Sequence, residues 1–259
     1  MAHAPIPAER WGIIEQQLAG REFVRTVDLV DVLDVSIETV RRDLAALEDR
    51  GVLTRVRGGA VGAGHHARAE GSYGERSVSG RDEKERIGRV AAGLIADDAT
   101  VVIDVGTTAL QVVAAMSPAF HGLVLTSSLP AATLASERLA GEIVVLGGRL
   151  RSGDLAVSGG RAEQFLDDFR PDIALLGSGG VDTAEGLTDF HYDEARLRQR
   201  MLAVSARSWV LADSSKHRVV APIHVADLDQ LTGLVTDDDP GLELGSALET
   251  ASVEVIVAD

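Results

Sequence analysis

Apolar side chains recur at helical spacing in the first fifty residues and predict three helices. The first covers about residues 7–19 and ends before Gly20, a typical helix stop. Thr26 is placed to cap the second helix, and Ser36 caps the third after a tight turn. The three apolar stripes are Trp11, Ile14 and Leu18; Val27, Val30 and Leu33; and Val40, Leu44 and Leu47. Three helices with a tight turn before the last predict a helix-turn-helix.

The face of the third helix opposite its apolar stripe carries side chains suited to reading DNA. Arg41 and Arg42 lie near the helix N-terminus, the part that a major groove accepts. After Gly51, apolar and basic residues alternate, which predicts a small β-wing with its arginines on one face. The alternative is an ordinary amphipathic helix in which Glu38 pairs with Arg42 at i,i+4. The predicted DNA contacts are Thr26, Ser36, Glu38, Thr39, Arg41, Arg42, Arg55 and Arg57.

Seven nearly continuous apolar runs in the rest of the chain predict strands. They cover residues 100–105, 123–127, 142–147, 172–177, 209–213, 231–236 and 253–258. Helical stretches interleave with them, at residues 83–95, 129–139 and 192–207. Apolar strands without alternation, separated by helices, indicate a mainly parallel sheet that is buried on both faces. This portion is therefore predicted to be an α/β domain.

Composition and charge limit the classes of protein that fit these elements. A chain of 259 residues suffices for two domains, and 45% hydrophobic residues exclude a disordered protein. The net charge of −15 requires any nucleic-acid surface to be local. Because the chain has no cysteine, disulfides and thiolate metal sites are excluded.

Glycine, alanine and histidine interrupt the pattern at residues 62–75, which we predict to be a linker. It would join a DNA-binding domain at residues 1–61 to an effector-sensing domain at residues 76–259. His65 and His66 have no further ligand at metal-binding spacing, so no metal site is expected. The N-terminus lacks the pattern of a signal peptide, and no apolar run approaches 18 residues. We therefore expect a cytoplasmic protein with no membrane partner.

Small polar residues follow five of the predicted strands. Carboxyl ends of parallel strands meet along one edge of a sheet, where helix N-termini bind anions. Gly106 permits close backbone approach, and Thr107 and Thr108 offer hydroxyls to phosphate oxygens. Helix capping by Thr107 would explain its loop alone, but five such ends favour one shared pocket. The predicted effector contacts are Asp104, Gly106, Thr107, Thr108, Thr126, Ser127, Ser128, Gly147, Gly148, Gly177, Gly179 and Lys216.

One set of N-terminal residues has an arrangement found in a known family: Arg10, Ile14, Leu18, Ser36, Thr39, Val40, Arg41, Arg42, Asp43, Leu44, Gly51, Leu53, Arg55, Gly58 and Gly59. In these residues the chain resembles the DeoR-type bacterial transcription regulators, and residues 75–237 resemble that family's sensor domain. The resemblance implies a winged helix-turn-helix joined to a domain related to ribose-5-phosphate isomerase. Such domains usually sense a phosphorylated sugar or a related metabolite.

The resemblance also implies roles for residues of the second part. The family's effector loop matches residues 104–108, and its late aspartate-serine-serine-lysine motif matches residues 213–216. Glu194 falls in a corresponding helix and joins the predicted effector contacts. Ser127 stands where the family often has asparagine, and His217 where phenylalanine is common. The identity of the sugar therefore does not follow from the resemblance.

The predicted function is a sequence-specific transcription regulator, a repressor of carbohydrate metabolism genes, that responds to a phosphorylated sugar. Its expected partners are double-stranded operator DNA, the effector and further copies of itself in a homo-oligomer, with no cofactor. One alternative is a sugar-phosphate isomerase-like enzyme in which Asp104, Glu194 and Lys216 supply acid and base functions. Another is a winged helix that binds protein, because residues 1–62 hold eight basic and ten acidic residues. An isomerase has no use for a groove-reading helix, which favours the regulator.

Overall fold

The computed structural model describes residues 7–19, 24–50, 52–56, 59–62 and 70–259. These residues divide into two compact units, one on either side of residues 63–69. The first contains α1 (Pro7–Ala19), β1 (Val24–Arg25), α2 (Thr26–Leu33), α3 (Ile37–Asp49), β2 (Leu53–Val56) and β3 (Gly59–Gly62). Its strands pair antiparallel in the order β1-β3-β2. The three helices followed by a hairpin form the winged helix-turn-helix expected from the sequence.

Each helix of the first unit buries one apolar face, as the stripes on α1 and α3 predict. On α2 the predicted stripe is wrong at Val27, which is 54% exposed, whereas Leu33 is buried and Val30 packs against the core. The buried positions of α2 are Thr26, Leu29 and Leu33, which are three and four residues apart and therefore share a face. The predicted cap is also wrong, since Arg25 occupies the N-cap position and Thr26 is the first helical residue.

Asp43 joins α3 to α1. Its buried carboxylate accepts hydrogen bonds from Arg10 Nε at 2.6 Å and from Trp11 Nε1 at 3.0 Å. Burial of a carboxylate is costly unless the charge is paired, so this position requires the arginine. The contact orients α3, which carries the predicted DNA-reading face.

The second unit is built around a parallel sheet. Its elements are α4 (Tyr73–Val78), α5 (Arg81–Ala92), β4 (Thr100–Ile103), α6 (Thr107–Ala115), β5 (Leu123–Thr126), α7 (Leu129–Arg138), β6 (Glu142–Val145), β7 (Arg149–Arg151), β8 (Ala156–Ser158), α8 (Gly160–Leu166), β9 (Ile173–Leu176), β10 (Gly180–Asp182), β11 (Gly186–Asp189), α9 (Tyr192–Val204), β12 (Ser208–Leu211), β13 (Ile223–Ala226), β14 (Gly233–Thr236), α10 (Gly241–Thr250) and β15 (Glu254–Val257). Within residues 70–259, seven strands form one parallel sheet in the order β15-β14-β12-β9-β4-β5-β6. The α/β class and all seven predicted strands are confirmed.

The direction in which the sheet grows reverses between β4 and β9. From β4 the chain proceeds outward to β5 and β6, whereas from β9 it proceeds the other way to β12, β14 and β15. We call the carboxyl ends of β4 and β9 the crevice, because in open α/β sheets the strand ends at such a reversal border the ligand-binding cleft. This is the position where open α/β sheets bind ligands.

Both faces of the sheet are apolar, which explains the continuous apolar runs in the sequence. Alternate residues of a strand point to opposite faces. On β4, Val102 packs into one core with Leu125 and Ala174, while Val101 and Ile103 pack into the other. Helices cover each face of the sheet. The central strands therefore have no solvent-facing side, which explains why they lack alternating polar residues.

The helix α4 begins inside the predicted linker, at Tyr73. Ser72 is its N-cap, and the Ser72 hydroxyl accepts a hydrogen bond from Glu75 N at 3.3 Å. The Glu75 carboxylate in turn accepts one from Ser72 N at 3.0 Å, which completes a capping box. Regular structure of the second unit therefore starts before residue 76.

Candidate functional site

The N-terminal half of α3 presents two arginines to solvent. Ser36 caps this end, since its Oγ accepts a hydrogen bond from Thr39 N at 3.2 Å. Arg41 and Arg42 are exposed, and neither forms an ion pair with any residue that the structure describes. The Glu38–Arg42 pair of an ordinary amphipathic helix is likewise absent from the described contacts. Two uncommitted guanidinium groups thus lie at the helix end that a major groove accepts.

On the wing, the structure describes one of the two predicted arginines. Arg55 lies on β2, where its backbone N donates to Glu48 Oε1 at 2.7 Å and its guanidinium pairs with the same carboxylate. The Arg55 side chain is 48% exposed, and it shares its charge with Glu48. Thr26 is buried at the start of α2 and has less support as a DNA contact than the exposed arginines. Arg57 lies outside the described residues.

The loops after β4 and β9 meet directly at the crevice. Asp104 follows β4, and its Oδ2 accepts a hydrogen bond from Gly177 N, which follows β9, at 2.9 Å. A Cβ on Gly177 would lie 3.0 Å from Val105 O and 3.4 Å from the Asp104 carboxylate. Glycine at this position therefore allows the two loops to approach each other.

Two hydroxyls at neighbouring strand ends are not committed to helix capping. Gly106, with φ of +122°, is the N-cap of α6, and the helix has no side-chain cap. The interpretation of Thr107 as a mere cap is therefore wrong. Ser128 does cap α7 and accepts a hydrogen bond from Ala131 N at 3.2 Å. The neighbouring Ser127 Oγ is buried and has no hydrogen-bond partner among the described residues.

Three of the predicted glycines have different surroundings. Gly147 is exposed, with nothing within 4 Å of its potential Cβ. A Cβ on Gly148 would lie 2.4 Å from Ser158 O, and one on Gly179 would lie 2.8 Å from Asp189 Cα. Close packing of backbone therefore explains Gly148 and Gly179, and their contact with an effector stays a prediction.

Arg198 on α9, which the sequence analysis missed, gathers three carboxyl groups at this end of the sheet. Its side chain is buried and contacts Asp104, Asp189 and Glu194, the last at 3.3 Å. Asp104 is 94 positions away in the sequence, so spacing alone does not reveal the contact. The available signal was local, because Arg198 lies four residues after Glu194 on a helix.

Glu194 has an unusual protonation equilibrium. Burial raises the pKa of Glu194 to about 8, against the opposing effect of the Arg151 charge. The nearby Asp104 carboxylate contributes further to the rise. The two Glu194 oxygens accept hydrogen bonds from Arg151 and Arg198, and a buried carboxyl group of this kind suits contact with sugar hydroxyls.

The two lysines of the chain are close enough to interact electrostatically. Lys84 lies on α5, and Lys216 lies in the turn after β12. Burial lowers the pKa of Lys84, Asp213 opposes this effect, and the Lys216 charge adds to it. The Lys84 Nζ donates to Arg76 O at 2.6 Å and Ser79 O at 2.7 Å. Lys84 is thus a second buried cation that the sequence analysis did not place near the crevice.

In the part of the chain that the structure describes, no helix combines the length and apolar character needed to span a bilayer. The same residues contain no group of three histidine, aspartate or glutamate side chains placed to hold a metal ion.

Two family models together match most of the chain. The model of the DeoR-like helix-turn-helix domain matches residues 10–63, and that of the DeoR C terminal sensor domain matches residues 79–238. The chain belongs to the DeoR family of transcription regulators. The family predicted from the residues of α3 and the strand ends is confirmed. As a DeoR-family member with this helix-turn-helix, the protein is a regulator rather than an enzyme.

Relatives of this DeoR-family chain match it over nearly its whole length. It is 32% identical over 240 residues to the HTH-type transcriptional repressor CsqR of Escherichia coli (strain K12), which covers 93% of this chain and 91% of that protein. It is 29% identical over 244 residues to the glycerol-3-phosphate regulon repressor of the same strain, with coverage of 94% and 96%. Among solved structures, ribose 5-phosphate isomerase A from Methanocaldococcus jannaschii is 19% identical, with coverage of 53% and 55% and a TM-score of 0.40.

Proposed function

We propose that this DeoR-family protein is a repressor of carbohydrate metabolism genes that binds operator DNA through its first unit. A phosphorylated sugar or related metabolite in the crevice of the second unit would control it. One observation carries the proposal: Arg41 and Arg42 are exposed on the face of α3 opposite its buried residues, and neither forms an ion pair with a residue that the structure describes. An arginine fork on guanine discriminates by about 1 to 3 kcal/mol. We propose Ser36, Glu38 and Thr39, on the same helix end, as further contacts.

The test of DNA binding begins with recovery of the genomic fragments that the full chain selects. Arg41→Ala/Arg42→Ala should weaken affinity for the selected operator by about 30-fold or more, from at least about 1 kcal/mol for each arginine. The matched control is Arg170→Ala/Arg207→Ala, which removes the same charge at the amino ends of β9 and β12. This control should keep operator affinity within about twofold. Equal affinities for the two double variants would contradict the proposal.

The crevice offers distinct chemistry to the two ends of a phosphorylated sugar. Backbone N–H groups of α6 begin after Gly106, where the helix dipole favours an anion, and Thr107 and Thr108 add hydroxyl donors. Lys216 supplies a positive charge from the turn after β12. Carboxyl groups such as those of Asp104 and Glu194 bind hydroxyls rather than phosphate. The similarity to a glycerol-3-phosphate regulon repressor also supports a phosphorylated effector.

A thermal-shift panel tests the effector. Glycerol 3-phosphate and pentose and hexose phosphates are compared with their unphosphorylated forms on the full chain. A ligand at 100 times its Kd should stabilise the folded protein by about 2.7 kcal/mol. Lys216→Ala should lose the response, whereas the exposed Arg170→Ala should keep it. Stabilisation by no phosphorylated compound, or equal stabilisation of the Lys216 variant, would contradict this part of the proposal.

We further propose that the protein acts as a homo-oligomer whose paired wings bind repeated half-sites. Its proposed partner is chromosomal DNA, so we expect it to act in the cytoplasm. Sedimentation of the full chain with and without operator measures the assembly. A single protomer on each selected DNA site would contradict the oligomer.

A further inference from the structure

The hairpin formed by β7 and β8, residues 149–158, covers the end of β5 beside the crevice. Val157 N donates to Ser127 O at 2.8 Å, and Leu129 N donates to Leu155 O at 3.1 Å. These contacts lie next to the buried Ser127 hydroxyl, which lacks a partner among residues that the structure describes. A ligand that reached this hydroxyl would have to move or rearrange the hairpin.

The same hairpin carries two charged residues that contact different parts of the second unit. Arg151 on β7 contacts Glu194 of α9 and also Asp154 in the hairpin turn. Asp154 Oδ2 lies 3.9 Å from Arg76 Nη2 on α4. Although burial acts in the opposite direction, the Arg151 hydrogen bond and charge hold the pKa of Asp154 below its ordinary value. Asp154 is therefore ionised at neutral pH and attracts both arginines.

At its outer end this set of contacts reaches residues 70–76, where the predicted linker ends. Arg76 Nη1 lies 2.9 Å from Glu70 Oε1, and the Arg76 carbonyl accepts from the buried Lys84. At its inner end the set passes from Glu194 to Arg198 and Asp104. We name it the charge network. It consists of Glu70, Arg76, Asp154, Arg151, Glu194, Arg198 and Asp104.

Carboxyl and guanidinium groups alternate along the charge network, and most members contact two others. The side chains of Asp154 and Glu194 are 9% and 7% exposed, so water screens their contacts poorly. If one member moves, the buried group next to it loses a partner and must find another. The structure shows the arrangement in which the hairpin contacts are made.

We propose that hairpin 149–158 transmits the state of the crevice to residues 70–80 through Arg151 and Asp154. This inference rests on the proposed function, because it concerns the route by which the effector acts. An anion at the strand ends attracts Arg151, the most exposed guanidinium of the network at 31%. Loss of the Arg151–Glu194 contact releases hairpin 149–158 from α9, so that the turn carrying Asp154 moves and the contact of Asp154 with Arg76 is broken. Residues 70–80 then become less constrained where they leave the second unit toward the DNA-binding unit.

Hydrogen exchange of the full chain, read by mass spectrometry in peptides that cover residues 70–80, tests the transmission without a ligand. Two amides in this segment report directly, because Arg76 N donates to Ser72 O at 2.9 Å and Ser79 N donates to Glu75 O at 3.0 Å. Asp154→Asn should accelerate their exchange about tenfold, since an arginine loses a charged partner. The matched control is Asp167→Asn, because Asp167 pairs with Arg200 and is 43% exposed.

A double-mutant comparison tests whether the signal travels through the hairpin. Asp104→Asn perturbs the crevice and should accelerate exchange of residues 70–80 about threefold or more. In the Asp154→Asn background the same change should have almost no further effect. If Asp104→Asn does not fold, Asp189→Asn perturbs the same part of the network, because Asp189 also contacts Arg198.

Two results would overturn the inference: wild-type exchange of residues 70–80 in Asp154→Asn, or a full response to Asp104→Asn that persists when Asp154 is replaced. Both readings are independent of DNA. Failure of the wild-type chain to bind any operator would instead contradict the proposed function, so the two failures remain distinguishable.

Discussion

The raised pKa of Glu194 predicts that the second unit loses stability as the pH rises, and that Glu194→Gln removes this loss. The ordinary pKa of 4.5 describes the unfolded chain, and the folded value is about 8. Between these values the folded protein keeps a proton that the unfolded chain has released. The stabilisation is therefore complete below about pH 4.5 and is lost as the pH rises through 8.

The size of this effect follows from linkage. Each pH unit in the interval changes the free energy of unfolding by about 1.4 kcal/mol, which amounts to about 5 kcal/mol from pH 4.5 to pH 8. Glutamine cannot ionise, so Glu194→Gln should lack this contribution. The difference between the two proteins should therefore grow by about 1.4 kcal/mol for each pH unit.

Urea unfolding at pH 5, 6, 7 and 8 measures the slope. Replacement of Trp11 by Phe leaves the buried Trp209 of β12 as the reporter for the second unit. The control is Glu249→Gln, since Glu249 is an exposed glutamate on α10. If wild type and Glu194→Gln show the same pH dependence between pH 5 and pH 8, the assignment of a buried proton to this site is refuted.

Two packing and charge contacts make further predictions. Gly177→Ala places a methyl group about 3 Å from Val105 O and should destabilise the second unit by about 1 to 3 kcal/mol, whereas Gly147→Ala meets no neighbour and should not. Thermal unfolding compares the two, and equal midpoints would contradict the packing argument. Asp43→Asn should cost about 1.5 to 3 kcal/mol in the first unit, because a charged hydrogen bond is lost. Faster hydrogen exchange of the α1 and α3 amides would show this loss of stability. As a control, replacement of the exposed Asp49 by Asn should leave the exchange of these amides unchanged. Identical exchange in the Asp43 and Asp49 variants would refute the role of Asp43.

Elements with strong local patterns were predictable. The helix at residues 7–19 has the predicted bounds, and the strands of the parallel sheet occur where apolar runs predicted them. The error on α2 arose because Val27 and Leu33 are both apolar, and composition alone does not say which face meets the core. Packing of Leu29 against the other helices decides it, and Val27 is left exposed. The hairpin at residues 149–158 was missed because its short strands have no apolar run.

Some residues of the candidate site could likewise be predicted from the sequence, and others could not. The strand-end residues were identifiable because residues after a parallel strand must lie at one edge of the sheet. Arg198 and Arg151 were not, because each also contacts a carboxyl group that is distant in the sequence, and isolated arginines resemble surface residues. Arg198 contacts Asp104 across 94 positions, and Arg151 contacts Glu194 across 43.

By itself, the sequence determined the two kinds of unit, the reading face of α3 and the edge of the sheet that carries polar loops. These depend on periodicity and on residue types within a few positions of each other. Only the tertiary structure decided that Arg41 and Arg42 have no ion-pair partner among the described residues, while Arg55 shares its charge with Glu48. It also decided that Arg198, Arg151 and Arg76 connect the crevice to residues 70–76. Electrostatic energy depends on distance through space and on burial, and sequence separation specifies neither.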